Sequence, residues 1–165
     1  MTAAAGTRPS AGFLFSHPAH FIALGFGTGL SPLAPGTVGT LLAFPLYAVL
    51  EQWLPSGLFA ATLAGLFAAG IWACDRCGRD LGVIDHGAMN FDETVAFLLV
   101  LLFAPQGLVW QAAAFAAFRF FDIVKPPPIR HVERTVKNGL GVMLDDLIAA
   151  FYTLLLVAAA KRLLG

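Results

Sequence analysis

Apolar residues run through this chain in long blocks, and its charged residues fall mostly between them. From Ser10 to Ala73 the one charged side chain is Glu51. The others gather mainly in two clusters, Asp75 to Glu93 and Arg119 to Asp146, and Lys161 and Arg162 lie at the end. Little alternates with period two, and Ala, Leu and Phe dominate the blocks, so the pattern predicts helices rather than strands. Thr40 to Leu50 and Leu58 to Ala73 are expected as helices on either side of EQWLPSG, whose Pro55, Ser56 and Gly57 are turn chemistry. Thr94 to Ala104 and Leu108 to Phe118 flank a second breaker, Pro105-Gln106-Gly107, and Leu147 to Leu164 is the last helix. Thr94 to Ala104 would be roughly 16 Å long at 1.5 Å per residue, about half of a ~30 Å hydrocarbon core. Two such arms make a hairpin that returns to the side it left, bringing the polar clusters before and after it to one face.

The expectation is an all-α, multihelical bundle with helical hairpins, membrane-embedded or membrane-apposed. It forms one domain over residues 21–165, preceded by an N-terminal tail over residues 1–20. Composition supports the membrane: charged residues are 12% of the 165, against about 25% in ordinary globular domains, and mean hydropathy is +0.78. Net charge is zero, so no basic field points to nucleic acid as a partner. The start, MTAAAGTRPSAG, lacks the pattern of a secretory signal, which leaves insertion to the internal segments. Lys125, Arg130, Arg134 and Lys137 lie within thirteen residues, and short loops rich in Lys and Arg stay cytoplasmic. The polar face is therefore expected on the cytoplasmic side. Cys74 and Cys77 form a C-x-x-C without the strand–helix pattern of a redox site or two further zinc ligands, and read as structural thiols.

Two pairs of adjacent acids stand out. Asp92–Glu93 and Asp145–Asp146 each precede an apolar run. One acid at a helix start is an ordinary cap, but the second must repel the first, more strongly beside hydrocarbon. A divalent cation resolves both repulsions, and hard oxygen ligands suit Mg²⁺ or a relative. Arg119, Asp122 and Lys125 are spaced along one helical face, although the triple proline that follows stops the helix and biases Lys125 itself out of helical geometry. They read either as a plain ion pair or as two cations gripping phosphate beside a metal-binding acid. The stretch GFGTGLSPLAPGTVGT, Gly25 to Thr40, is either a tight loop or an anion cradle leading into a helix. His86 and His131 could act near neutrality, although a structural or surface role suits each as well. His17 and His20 show no pattern.

Together these stretches resemble the phosphatidylglycerophosphatase A family. The resemblance rests on four ordered motifs from about Phe21 to the C-terminal helix. They are the loop with Gly27, Gly29, Pro32, Pro35, Gly36, Thr37 and Gly39; Asp92-Glu93; Phe118 to Pro126, FRFFDIVKP; and Gly139 to Asp146, GLGVMLDD. Ala96 stands where the family commonly has glycine and Pro127 where it often has tryptophan, which leaves the carboxylates intact. The resemblance implies a Mg²⁺-dependent lipid phosphatase of the bacterial inner membrane, converting phosphatidylglycerophosphate to phosphatidylglycerol. Its substrate is a phospholipid, and no oligomeric state is implied. Asp92, Glu93, Asp122, Asp145 and Asp146 would hold Mg²⁺ and serve catalysis, with Asp85 as a further ligand or base. Arg119, Lys125, Gly36 and Thr37 would bind phosphate. The cysteine-phosphatase loop, D-x-D and Ser-Gly-His patterns are missing, leaving metal-assisted attack by water or a carboxylate. An ion-binding membrane transporter or a non-catalytic lipid-binding protein are the rival classes.

Overall fold

A computed structural model describes residues 8–164. Every regular element among them is helical. Two short helices, α1 (Ala11–Ser16) and α2 (Pro18–Ala23), lead through a 3₁₀ stretch (Gly25–Leu30) into α3 (Pro35–Trp53) and α4 (Ser56–Leu81). Then follow α5 (Phe91–Phe103), α6 (Leu108–Val124), the short α7 (Ile129–Thr135) and α8 (Gly139–Leu164). Both expected hairpins are present, turning at Leu54-Pro55 and at Pro105-Gln106-Gly107.

Helix limits follow local chemistry. Pro35 sits at the first position of α3, where its missing N–H is harmless. Gly82, at φ 70, accepts the left-handed geometry that ends α4. Beyond Ala73, α4 continues through the charged cluster because Asp75–Arg79 and Arg76–Asp80 pair one turn apart.

The last helix corrects an expectation. It begins at Gly139, not at Leu147, so Asp145 and Asp146 lie inside α8 rather than at its mouth. Gly139 starts it early by allowing close contact with α4: a Cβ there would lie 2.0 Å from the Ile71 carbonyl oxygen and 2.6 Å from the Asp75 nitrogen. Residues 1–20, set apart by sequence as a tail, are helical from Ala11. Leu14 and Ala19 are buried, and His20 Nε2 is 2.8 Å from an Asp80 carboxylate oxygen.

Helix α5 is the centre of the bundle and packs on α3, α4, α6 and α8. Its residues Phe97, Leu98 and Leu101 are buried with Phe118 of α6 and Ala149 of α8. A second buried cluster joins Leu14, Ala23, Cys74, Cys77 and Met143, and both cysteines are free. At 26 residues each, α4 and α8 are long and apolar enough to cross a membrane. Trp53, at the tip of the first hairpin, is 79% exposed.

Candidate active site

The end of α4, the start of α5, the end of α6 and the start of α8 meet at one end of the bundle. Asn90, fully buried, locks α5 to the Gly/Pro segment. Its Nδ2 donates to the Pro35 carbonyl at 2.6 Å and to the Thr28 hydroxyl at 3.0 Å, and its backbone N–H donates to the Ala23 carbonyl. Thr94 Oγ1 donates to the Gly39 carbonyl at 2.9 Å. These bonds fix the register of α5 on α3 and lay Glu93 over the first turn of α3. Gly36 makes that approach possible, since a Cβ there would fall 2.2 Å from Glu93 Oε1. Thr37 follows in the same turn, half-buried.

Adjacent residues of a helix point about 100° apart at 3.6 residues per turn. Asp145 and Asp146 therefore face different neighbours, and each joins a separate group of three acids. Asp146 meets Glu93 and Asp122, and Asp145 meets Asp85 and Glu133; within each group the oxygens lie within 4.8 Å of one another. Both aspartates are 3% exposed.

One cation serves each group. Arg119 Nη1 lies 2.9 Å from Glu93 Oε2 and 2.7 Å from Asp122 Oδ2, and donates to the Thr40 hydroxyl at 3.3 Å. Lys125 Nζ lies 2.6 Å from Asp145 Oδ2 and 3.0 Å from Glu133 Oε1. The i, i+3 pair expected between Arg119 and Asp122 is present, but Lys125 leaves their face. It ends α6 with φ 47 and turns towards α7 and α8. The first group thus holds three carboxylates against one cation, and in the second Lys137 lines the same cleft in addition to Lys125. Burial pushes the Glu93 carboxyl up to about 7, with the Arg119 guanidinium acting against that rise. Burial alone would lower the Lys125 pKa, but the Asp145 carboxylate outweighs it and holds the ammonium above the ordinary lysine value.

Asp92 joins neither group of three. It is 6% exposed, and its Oδ1 has no hydrogen-bond partner. The capping role weighed for it is not fulfilled by that oxygen. Burial first, and then the Glu93 charge, push its carboxyl well above the ordinary range.

Glu133, Thr40 and Asn90 belong to the site and were not singled out by sequence. Glu133 lies beyond the triple proline from Lys125, where no helical spacing relates the two. Thr40 had a usable signal, its position one turn after Gly36. His86 Nδ1 accepts from the Ala88 N–H at 3.1 Å, closing a turn, while His131 is exposed. A cleft of about 440 Å³ opens onto the second group, lined by Asp85, Glu133, Lys137 and Asp145 among others.

Fold and site together define an all-helical protein with apolar helices long enough to span a bilayer and a centre of buried carboxylates at one end. The family model for phosphatidylglycerophosphatase A matches residues 21–161. The chain is 43% identical over 147 residues to the phosphatidylglycerophosphatase A of Haemophilus influenzae, covering 88% of this chain and 90% of that protein. It is 40% identical over 135 residues to that of Escherichia coli, covering 81% and 78%. A Bacteroides thetaiotaomicron protein provisionally named a phosphatidylinositol-3-phosphatase is 41% identical over 151 residues, covering 87% and 94%. No solved structure matches. The chain belongs to the phosphatidylglycerophosphatase A family, and it is a phosphatase.

Proposed function

We propose that this enzyme removes the terminal phosphate of phosphatidylglycerophosphate in a Mg²⁺-dependent reaction at the cytoplasmic face of the bacterial inner membrane. The observation that carries this reading is the division of Asp145 and Asp146 between two groups of acids, in a chain of this family. Every ligand offered is a carboxylate oxygen, the donor chemistry of Mg²⁺. In each group the three carboxylates outnumber the cations beside them, leaving surplus negative charge that a divalent ion would neutralise.

Glu93, Asp122 and Asp146 would hold one ion, and Asp145 with Asp85 and Glu133 a second. Bound there, Mg²⁺ would supply charge neutralisation for phosphoryl oxygens and a more acidic water. Arg119 and Lys125 are already hydrogen-bonded to carboxylates, so they would bind phosphate while holding those acids in place. The first turn of α3, with Gly36 and Thr37, offers backbone N–H groups beside Glu93. Asp85, on the exposed side of the second group, would serve either as the second ion's third ligand or as the base that takes a proton from water.

The basic loop over Lys125 to Lys137 supports the cytoplasmic orientation. Phosphate release from phosphatidylglycerophosphate by the purified protein, with Mg²⁺ and with EDTA, tests the reading. Turnover that survives EDTA would remove the metal; none in either condition would remove the substrate. Phosphatidylinositol 3-phosphate belongs in the same assay, given the name of the third relative.

A further inference from the structure

Pro9 to Ala34 carries no Asp, Glu, Lys or Arg, although it packs at the charged end of the bundle, where His20 meets Asp80. On its inner side Leu14, Ala19 and Ala23 are buried with Cys74 and Leu81 of α4 and Phe91 of α5. The outer side presents phenyl rings. Phe15 is 75% exposed, and Phe21 and Phe26 are exposed as well. The rings stand in one row, with centroids 6.0 Å apart from Phe15 to Phe21 and 5.5 Å from Phe21 to Phe26. Phe26 in turn lies 5.9 Å from the ring of the buried Phe91. It keeps that place at φ 58, a left-handed conformation that a bulky residue adopts only at a cost. Contiguous exposed rings, one of them held by a strained backbone, mark a contact surface. Two contacts set the height of the row on α4. The His17 ring is 6.0 Å from that of Trp72, and a Cβ on Gly70 would lie 3.2 Å from Cδ1 of Phe91. Both fall where α4 changes character. Its apolar run ends at Ala73, Trp72 is half exposed, and the side chains of Arg76 and Arg79 reach solvent a turn or two further on. Hydrocarbon, then aromatic rings, then arginines is the order of groups across a bilayer's headgroup boundary.

We propose that α1, α2 and the 3₁₀ stretch form an interfacial anchor, with Phe15, Phe21 and Phe26 inserted in the headgroup–acyl boundary of the leaflet that meets the acid centre. The occupant of this face is the bilayer surface, because the row continues the apolar surface of α4 at the height where that helix would leave hydrocarbon. A face without charges also lacks the ionic pairing by which a protein partner is selected. Elements of this kind settle about 5–10 Å into the boundary. The anchor is tied to the site: the Asn90 backbone N–H donates to the Ala23 carbonyl, and Glu93 follows three residues along α5. Seating the rings therefore sets the depth at which the carboxylates meet lipid phosphates.

The inference rests on the membrane placement in the proposed function, and a depth measurement separates it from the activity. Phe15→Cys and Phe21→Cys, each carrying an environment-sensitive fluorophore, are reconstituted in phosphatidylglycerol-containing vesicles. The wild type, whose two cysteines are buried, serves as the labelling blank. A lipid nitroxide near the top of the acyl chain should quench both labels more than one near the terminal methyl, and aqueous iodide should quench them little. Strong iodide quenching without lipid quenching would place the rings in water. Stronger quenching from the terminal methyl would place them in the membrane core, and quenching by neither would place them against protein; each of the three overturns the anchor. The second arm is the double variant Phe15→Ser with Phe21→Ser, which leaves Leu14, Ala19 and Ala23 in place. In vesicles with Mg²⁺ it should release phosphate several-fold more slowly from long-chain phosphatidylglycerophosphate in the bilayer. With a short-chain, water-dispersed form of the same lipid it should match the wild type. Equal loss on both substrates, or no loss on the bilayer substrate, overturns the role in setting depth. A wild type with the expected quenching and no phosphate release would sink the proposed function and leave the anchor standing.

Discussion

Asp145 and Asp146 differ by one position and by everything that surrounds them, so the same substitution should act differently at each. Asp145 accepts from Lys125 at 2.6 Å. Asp145→Asn removes the stronger charge partner of a largely buried ammonium and should destabilise by about 1–3 kcal/mol already in EDTA, before any loss of metal binding. Asp146 faces Glu93 and Asp122. Asp146→Asn relieves like-charge repulsion, so in EDTA the variant should melt no lower than the wild type. With Mg²⁺ it should show a smaller stabilising shift. Turnover should fall by roughly two orders of magnitude or more, the scale of losing several kcal/mol of charge stabilisation. Thermal melts of both variants in EDTA and in Mg²⁺, beside phosphate release, check the contrast. Equal behaviour of the two would contradict the division into two groups. Gly36→Ala is a third case, because its methyl group would displace the Glu93 carboxylate. Turnover should drop at least about tenfold while the melting temperature moves little, since a shift of the acid costs catalysis before it costs packing.

Among the helices, α8 shows what a sequence pattern can and cannot place. The apolar run from Leu147 announced a helix, but its first two turns were hidden. Glycine is a poor helix former by propensity, and it is close packing, of Gly139 on α4 and of Gly141 on Val136, that makes it the residue required there. Gly139→Ala should therefore act against its intrinsic helix propensity. The added Cβ forces α8 away from Ile71, and such overpacking costs about 1–3 kcal/mol; a melting temperature at or above the wild type would contradict the close packing. The α5–α6 hairpin was more legible. Its short arms and Pro-Gln-Gly turn implied that Glu93 and Asp122 return to one side, and Arg119 bridges them. Lys125 leaves the helix as its place before the triple proline implies, and what the sequence did not show is that its ammonium then turns to Asp145 and Glu133. The acids themselves were legible by their cost: like charges beside hydrocarbon call for a reason. Their division into two groups was not, because it depends on where α7 and the Asp85 segment pack.

On the scale of the whole molecule, apolar residues outnumber the places to hide them. Leu58, Phe103, Leu108, Val109, Phe120, Leu155 and Leu156 are all exposed, several by more than half. Large apolar patches of this kind mark contact with lipid or with another protein. Expressed without detergent, the protein should fractionate with membranes and resist a high-salt wash. Recovery as a monodisperse soluble species would contradict a lipid-facing surface.

The gathering of the acids at one end of the bundle has a topological consequence. Glu51, Lys161 and Arg162 are the charges of the opposite end, and neither group of three acids includes them. A bundle inserted in one orientation would meet lipid headgroups at its acidic end in a single leaflet. Its reaction would then be sided, consuming one monolayer and leaving the other as a reserve that only transbilayer movement can release. In sealed vesicles with the protein uniformly oriented, phosphate release should halt when the accessible leaflet is exhausted and resume when a detergent or a lipid scramblase mixes the two. Uninterrupted release to completion from sealed, unmixed vesicles would mean that the site is reached from both sides.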